Sequence, residues 1–466
     1  MNLERIKSTL GKTTGVFGWL LRQQTMQETS VLHLPNLYTV ENDKFVRSSN
    51  PYPREVISMP GEEIRITVYA KFKANGNEYM GEATDQILSD DESALNQSIQ
   101  SLLTNARSQR NKPFSLPDKS LTYRTDIKIA DPLILKSTKP QLIDLVAQFN
   151  QTIIDSTNQE KMVDVSNIEL FIKNHHNVLY TSTGIAVEFD STRADTEICF
   201  IARLSDDRVA EATARSYTRR FDDLKPDDLV KTYAAYARSI AQASTPSQYT
   251  GPVVIVGEAL ADVLSLDKSP LIFQANARTV YDKMSRFEQD KPVTGDFEIK
   301  GDHITISSDP HTPFGPNSHV FSVMDCSPSR SVMVVKDGNY AELFGTRRYY
   351  EYLGLLEKGI LSSGPLGNTF IQAGKVSANQ LIGPDKVVVI KMFSDWTSNP
   401  VNGDFACEIR LGEIHENDKA KPFKGGLLVG NYFKMLSDIT LSKETIQLGK
   451  YFGPASARFE NLQVTG

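Results

Sequence analysis

A chain of 466 residues exceeds what one hydrophobic core usually serves, so two domains are expected. Its 40% hydrophobic and 23% charged content is ordinary for a globular protein, and no apolar run approaches the ~20 residues of a membrane helix. The formal charge of −6 gives no electrostatic pull toward nucleic acid, because a duplex binder concentrates Lys and Arg against phosphates.

The chain opens with Arg5, Lys7 and Lys12 ahead of an apolar run over residues 15–21. That run holds Gly15 and Gly18 and leads into Arg22 with no small-residue cleavage site, so it reads as a packing segment rather than an export signal. Residues 64–73 place Ile64, Ile66, Val68, Ala70 and Phe72 at every second position, the signature of a half-buried strand. Asn75-Gly76 supplies a tight hairpin turn, and residues 78–84 return antiparallel. Ser89 and Glu92 have capping-box spacing before a helix whose apolar stripe is Leu95, Ile99, Leu102, Leu103 and Ala106. Thr138 and Pro140 open a second helix, with Leu142, Leu145, Val146, Phe149 and Ile153 facing one way.

Residues 168–172, 178–180, 185–189 and 197–203 are rich in β-branched and aromatic side chains and are separated by Asn, Gly and Asp, which predicts four antiparallel strands. A third helix starts near Pro226, with the stripe Leu229, Tyr233, Tyr236 and Ile240, and the small polar residues 243–248 form a linker. A buried strand over 252–256 then runs into a helix over 257–264. Beyond it, strand-like runs at 298–307, 331–336, 386–393 and 405–410 alternate with turns, and few helices are expected, notably over 347–355 and 431–441. The fold class is therefore α+β. Residues 1–50 form an N-terminal extension with the first strands. Residues 51–248 form an α/β sandwich-like domain of antiparallel sheet and helices, and residues 249–466 a mainly antiparallel β domain.

No phosphate-binding glycine loop, G-x-S-x-G elbow or H-E-x-x-H is present. Cys199, Cys326 and Cys407 are odd in number and far apart, which fits a reducing cytoplasm and buried thiols. His175 and His176 point to opposite faces of a strand. His303, His311 and His319 are close enough in sequence to form a relocated metal site, although their spacing is not distinctive. Glu258 and Asp262 are four apart and share a helix face, whose simplest reading is a solvated surface.

Several segments, in this order, resemble the TldD/PmbA family, also called modulators of DNA gyrase. They are Tyr79-Met-Gly81 with the helix after it, residues 114–117, residues 177–183, Val335-Lys-Asp-Gly338 with residues 349–354, residues 399–405, Val429-Gly430-Asn431 and the closing strand 459–466. TldD-like members carry a zinc-binding H-E-x-x-x-H and a later cysteine. TldE/PmbA-like members lack these ligands and pair with a TldD-like subunit. The matching positions here hold Gly257, Glu258 and Asp262, and the cysteine column falls at Ile409, two residues from Cys407. The resemblance thus implies a subunit without catalytic residues or bound metal, with zinc on a TldD-like partner. It implies a cytoplasmic heterodimer that processes unfolded peptides in a chamber, with a stand-alone homodimer and a relocated-metal peptidase as alternatives. Thr397, Asn399, Gly403, Asp404, Phe405 and the region of Glu258 would face that chamber.

Overall fold

The computed structural model describes residues 1–35, 38–41, 44–47, 52–206, 208–417 and 419–466. The boundary expected between residues 50 and 51 lies outside the described residues.

The N-terminal half is built on one six-stranded sheet. Its strands are β1 (Gly18–Leu34), β4 (Tyr52–Ala74), β5 (Asn77–Gln86), β6 (Val163–Thr181), β7 (Ala186–Ser205) and β8 (Arg208–Thr218), in the order β5-β4-β1-β6-β7-β8. Every pairing is antiparallel. Between β1 and β4, β2 (Tyr38–Glu41) and β3 (Lys44–Arg47) pair with each other. The β4–β5 turn is the expected one, with Asn75 and Gly76 at φ of 50° and 79°, where a two-residue hairpin needs left-handed backbone. The early apolar run is the start of β1, which lies in the middle of the sheet with Leu20 and Leu21 buried.

Two corrections concern strand length. The runs 168–172 and 178–180 are one strand, β6, and the runs 185–189 and 197–203 are one strand, β7. Asn174, Asn177 and Asp190 look like breakers in sequence, yet β1 and β7 hold both asparagines in register from either side, and β6 holds Asp190. Such pairing overrides local propensity.

Helices lie on one face of this sheet. α1 (Leu3–Lys12) and α2 (Glu92–Ser108) cover one end; after α3 (Pro132–Lys136), α4 (Lys139–Asn158) and α5 (Pro226–Gln242) cover the other. The expected stripe of α2 is buried, but its N-cap is Asp91, which accepts from the N–H groups of Ser93 and Ala94; Ser89 instead accepts from Asp91 N–H. α4 starts with the Thr138/Gln141 capping box. On the opposite face, Leu20, Tyr69 and Leu179 meet Val320, Phe321 and Cys326 from the C-terminal half.

The C-terminal half folds as two sheets around one core. The first contains β10 (Ile306–Asp309), β11 (Val332–Lys336), β12 (Asn339–Tyr340), β13 (Asn368–Ile371), β19 (Thr445–Leu448) and β20 (Tyr451–Pro454). The second contains β9 (Tyr249–Val256), β14 (Val387–Phe393), β15 (Asp404–Glu416), β16 (Lys419–Phe423), β17 (Leu427–Asn431) and β21 (Ser456–Val464), with β18 (Thr440–Leu441) alongside. β14 pairs with β9 on one side and β15 on the other, so the second sheet closes on itself. Most pairings are antiparallel, as expected; β13–β20 and β14–β9 are parallel. Of residues 298–307 only the end is strand, and the two expected helices shorten to Arg347–Tyr352 and Tyr432–Ser437. Short apolar runs do not reveal where pairing stops. The two halves share packing, since Met392 and Leu411 join the core beneath α4 and α5.

Candidate functional site

β9 delivers the chain into α6 (Gly257–Leu264) as the residue pattern predicts: Val253, Val254 and Ile255 are buried, and Ala259, Leu260, Val263 and Leu264 face the core. Gly257 makes the turn. Its φ is +56°, a conformation that disfavours L side chains, and its N–H donates to Ala455 O at 2.9 Å. A side chain there would find open space but a strained backbone.

The expected solvated face of α6 is not what the fold produces. Glu258 is half-buried against α5, and the Tyr233 hydroxyl donates to its Oε2 at 2.5 Å. Burial raises the Glu258 pKa and Asp262 adds to the rise, while the Tyr233 bond, Lys268 and Arg215 act against it. The Tyr233 ring lies 5.6 Å from that of Tyr236, whose hydroxyl is pushed up to about 12 by burial and then by Glu258. Asp262 is ion-paired with Lys268. Sequence reading placed Tyr233 and Tyr236 on an apolar stripe and missed their role. The signal was there in the phenol hydroxyls, since a buried Tyr oxygen usually needs a partner.

Ile409 is fully buried in the C-terminal core. Cys407 faces the same way, two residues along the strand; its Sγ donates to Thr397 O at 3.2 Å and accepts from Thr397 N–H at 3.4 Å. Burial raises its thiol pKa, so it is held as a neutral packing group.

Residues 397–405 divide by role. Thr397, Asn399 and Asp404 are exposed. Asn399 Oδ1 accepts from the N–H groups of Val401 and Asn402, and Asn431 Nδ2 donates to Asp404 Oδ1 and Asn402 O, so the loop is tied internally. Gly403 is buried, with φ +84° and Phe433 so near that a Cβ would stand 2.6 Å from its ring. Phe405 belongs to the core, its ring 4.9 Å from that of Trp396. These two residues build the segment, and their side chains do not line open space.

The three late histidines do not converge. His303 Nδ1 lies 3.2 Å from Asp337 O, and His319 Nδ1 lies 2.9 Å from Asn317 O. His311 and His319 both have pKa values lowered, chiefly by burial. Among the described residues, no group of three or more His, Cys, Asp and Glu side chains is arranged to hold a metal ion. The α6 positions fit zinc poorly as well. Gly257 has no ligand atom, Glu258 and Asp262 are already engaged, and Ile409 is hydrocarbon, whereas a catalytic zinc needs three protein ligands.

Residues 248–466 match the family described as PmbA/TldA metallopeptidase C-terminal domain. The match covers the C-terminal part of the chain, just under half of it. An uncharacterized protein of Methanocaldococcus jannaschii is 26% identical over 212 residues, which is 44% of this chain and 49% of that protein; the chain thus spans about half the length of this curated relative. The fold of the entire chain is that of TldE from Thermococcus kodakarensis, with a TM-score of 0.75, 16% identity and 100% of each chain covered. A Bacteroides thetaiotaomicron protein provisionally named a modulator of DNA gyrase superposes with a TM-score of 0.77 at 14% identity, covering 100% of this chain and 98% of that one. A Thermotoga maritima protein with the same provisional name gives 0.73 at 17% identity, with 100% of both covered. No helix among the described residues is long and apolar enough to cross a membrane.

Proposed function

We propose that this chain is the non-catalytic, TldE-like subunit of a cytoplasmic TldD-type metallopeptidase, in which a TldD-like partner holds the zinc and this chain shapes the chamber and binds unfolded peptide. One observation carries the reading. Each position where the family's zinc motif falls is committed to structure: Gly257 to a left-handed turn, Glu258 to Tyr233, Asp262 to Lys268 and Ile409 to the core. A chain built this way has no place for the zinc, and its contribution is to binding.

Extended peptide suits the available surface. The second C-terminal sheet closes on itself, but among the described residues β19 pairs only with β20 and leaves an edge beside α6. A peptide adding there as a further strand would be held by main-chain hydrogen bonds, which tolerate any sequence. Thr397, Asn399 and Asp404 supply exposed polar groups to the same chamber.

The test is cleavage of an unfolded peptide by the chain alone, by a TldD-like subunit alone and by the two mixed, with zinc measured on each. Cleavage by the mixture, with zinc only on the TldD-like subunit, supports the proposal. Cleavage by this chain alone with stoichiometric zinc, or a homodimer that ignores the TldD-like subunit, overturns it.

A further inference from the structure

Between the first sheet and the C-terminal half lies an open cavity of about 370 Å³. Its floor is the sheet face that carries Arg22 on β1 and, across β4 and β5, Thr67, Glu82 and Thr84. Its mouth is formed by Val323 and Met324, whose side chains are 60% and 68% exposed although both are apolar.

Arg22 is the unusual group. It is half-buried, yet among the described residues it makes no hydrogen bond and no ion pair. Other half-buried arginines are satisfied: Arg348 by Glu82 at 2.7 Å, Arg238 by Glu160 at 2.6 Å and Arg458 by Glu460 at 2.7 Å. A half-buried guanidinium with no protein partner has its donors free for a ligand, and its planar fork matches a carboxylate. Around it stand further polar atoms with unused capacity. The Thr67 and Thr84 hydroxyls share one bond of 2.7 Å. Gln109 Oε1 accepts from Asn111 Nδ2 at 3.4 Å, which leaves the Gln109 amide N–H groups to donate. Glu82 meets Arg348 through Oε1, and its Oε2 takes no hydrogen bond among the described residues.

We propose that this cavity binds an apolar amino acid or dipeptide in its zwitterionic form. The ligand's carboxylate takes the Arg22 fork, with help from Gln109, its ammonium takes Glu82 Oε2, and its apolar side chain lies under Val323 and Met324. The negative charge of Glu82 disfavours a phosphate dianion in the same space. The volume suits a ligand of this size. The assignment stands independently of the peptidase reading, since it uses neither α6 nor a partner subunit.

Calorimetric titration of the purified chain tests it, with leucine, leucyl-leucine, leucinamide, N-acetyl-leucine and inorganic phosphate as probes. Leucine or leucyl-leucine should bind. Blocking the carboxylate or the amine should weaken binding roughly tenfold or more, the usual weight of a charge-assisted contact. Arg22→Gln should abolish carboxylate binding while leaving the melting temperature in place, because the Arg22 guanidinium holds no bond among the described residues. Met324→Glu, at an exposed position, should weaken binding by replacing the apolar cover of the ligand's side chain with a charge, without touching the floor of the cavity. No binding by leucine or leucyl-leucine, equal binding of leucinamide, Arg22-dependent binding of phosphate in preference to leucine, or full binding by Arg22→Gln would each overturn the proposal.

Discussion

Replacing Tyr233 by Phe removes one oxygen and keeps the ring beside Tyr236 and the packing of α5. The lost bond is the 2.5 Å contact with Glu258 Oε2. A hydrogen bond to an ionised group contributes about 1.5–3 kcal/mol, and one to a neutral carboxyl about 0.5–1.5 kcal/mol. The protonation state of Glu258 therefore sets the cost. Burial raises its folded-state pKa above the unfolded value, so the folded protein holds the proton more tightly and stability falls as pH rises from the unfolded pKa through the folded one. Tyr233 limits that fall by favouring the carboxylate. Without it the folded pKa rises further, and the loss of stability deepens and extends to higher pH. Urea unfolding midpoints of wild type and Tyr233→Phe, taken near pH 4 and near pH 8, should differ by about 0.5–1.5 and about 1.5–3 kcal/mol respectively. In a Glu258→Gln background the pH dependence of the difference should vanish. An equal cost at both pH values, or a dependence that survives in Glu258→Gln, would refute the coupling.

Other expectations follow from neighbouring parts of the fold. Ile409→Ala should lower stability by about 2–5 kcal/mol in chemical denaturation, because the side chain is fully buried. Gly403→Ala combines left-handed backbone with a close approach to Phe433 and should cost roughly 1–3 kcal/mol by the same measurement. Writing the two missing histidines back as Gly257→His and Asp262→His should leave zinc substoichiometric after dialysis, since Ile409 offers no third ligand and Gly257 sits at positive φ. His175 has its pKa lowered to about 4, first by burial and then by Arg219. The unfolded chain binds that proton more readily, so stability should fall as pH drops from about 6.5 toward about 4. His175→Asn should make the acid-side decline shallower in a pH series of melting temperatures.

Much of the local structure could be read from residue pattern. The period-two run from Ile64, the Asn75-Gly76 turn, the stripe of α2 and the β9-to-α6 transition depend on neighbours in sequence, and each formed where the pattern placed it. Boundaries were less legible. β6 and β7 run through polar residues because neighbouring strands hold them, information that no local window carries.

The sequence by itself determined what is missing from α6. Gly257 has no ligand atom and Ile409 no polar one, and side-chain identity is sufficient for both statements. Tertiary structure alone decided what became of the atoms that remain. Only the folded chain brings Tyr233 of α5 to Glu258 of α6, and only the closure of the C-terminal sheet places Ile409 in the core. The same holds for Arg22, an unremarkable residue in an N-terminal run until the sheet and the loop bearing Met324 line an open cavity around it. Burial changes the energy of a polar group far more than its neighbours in sequence do, and burial is a property of the folded chain.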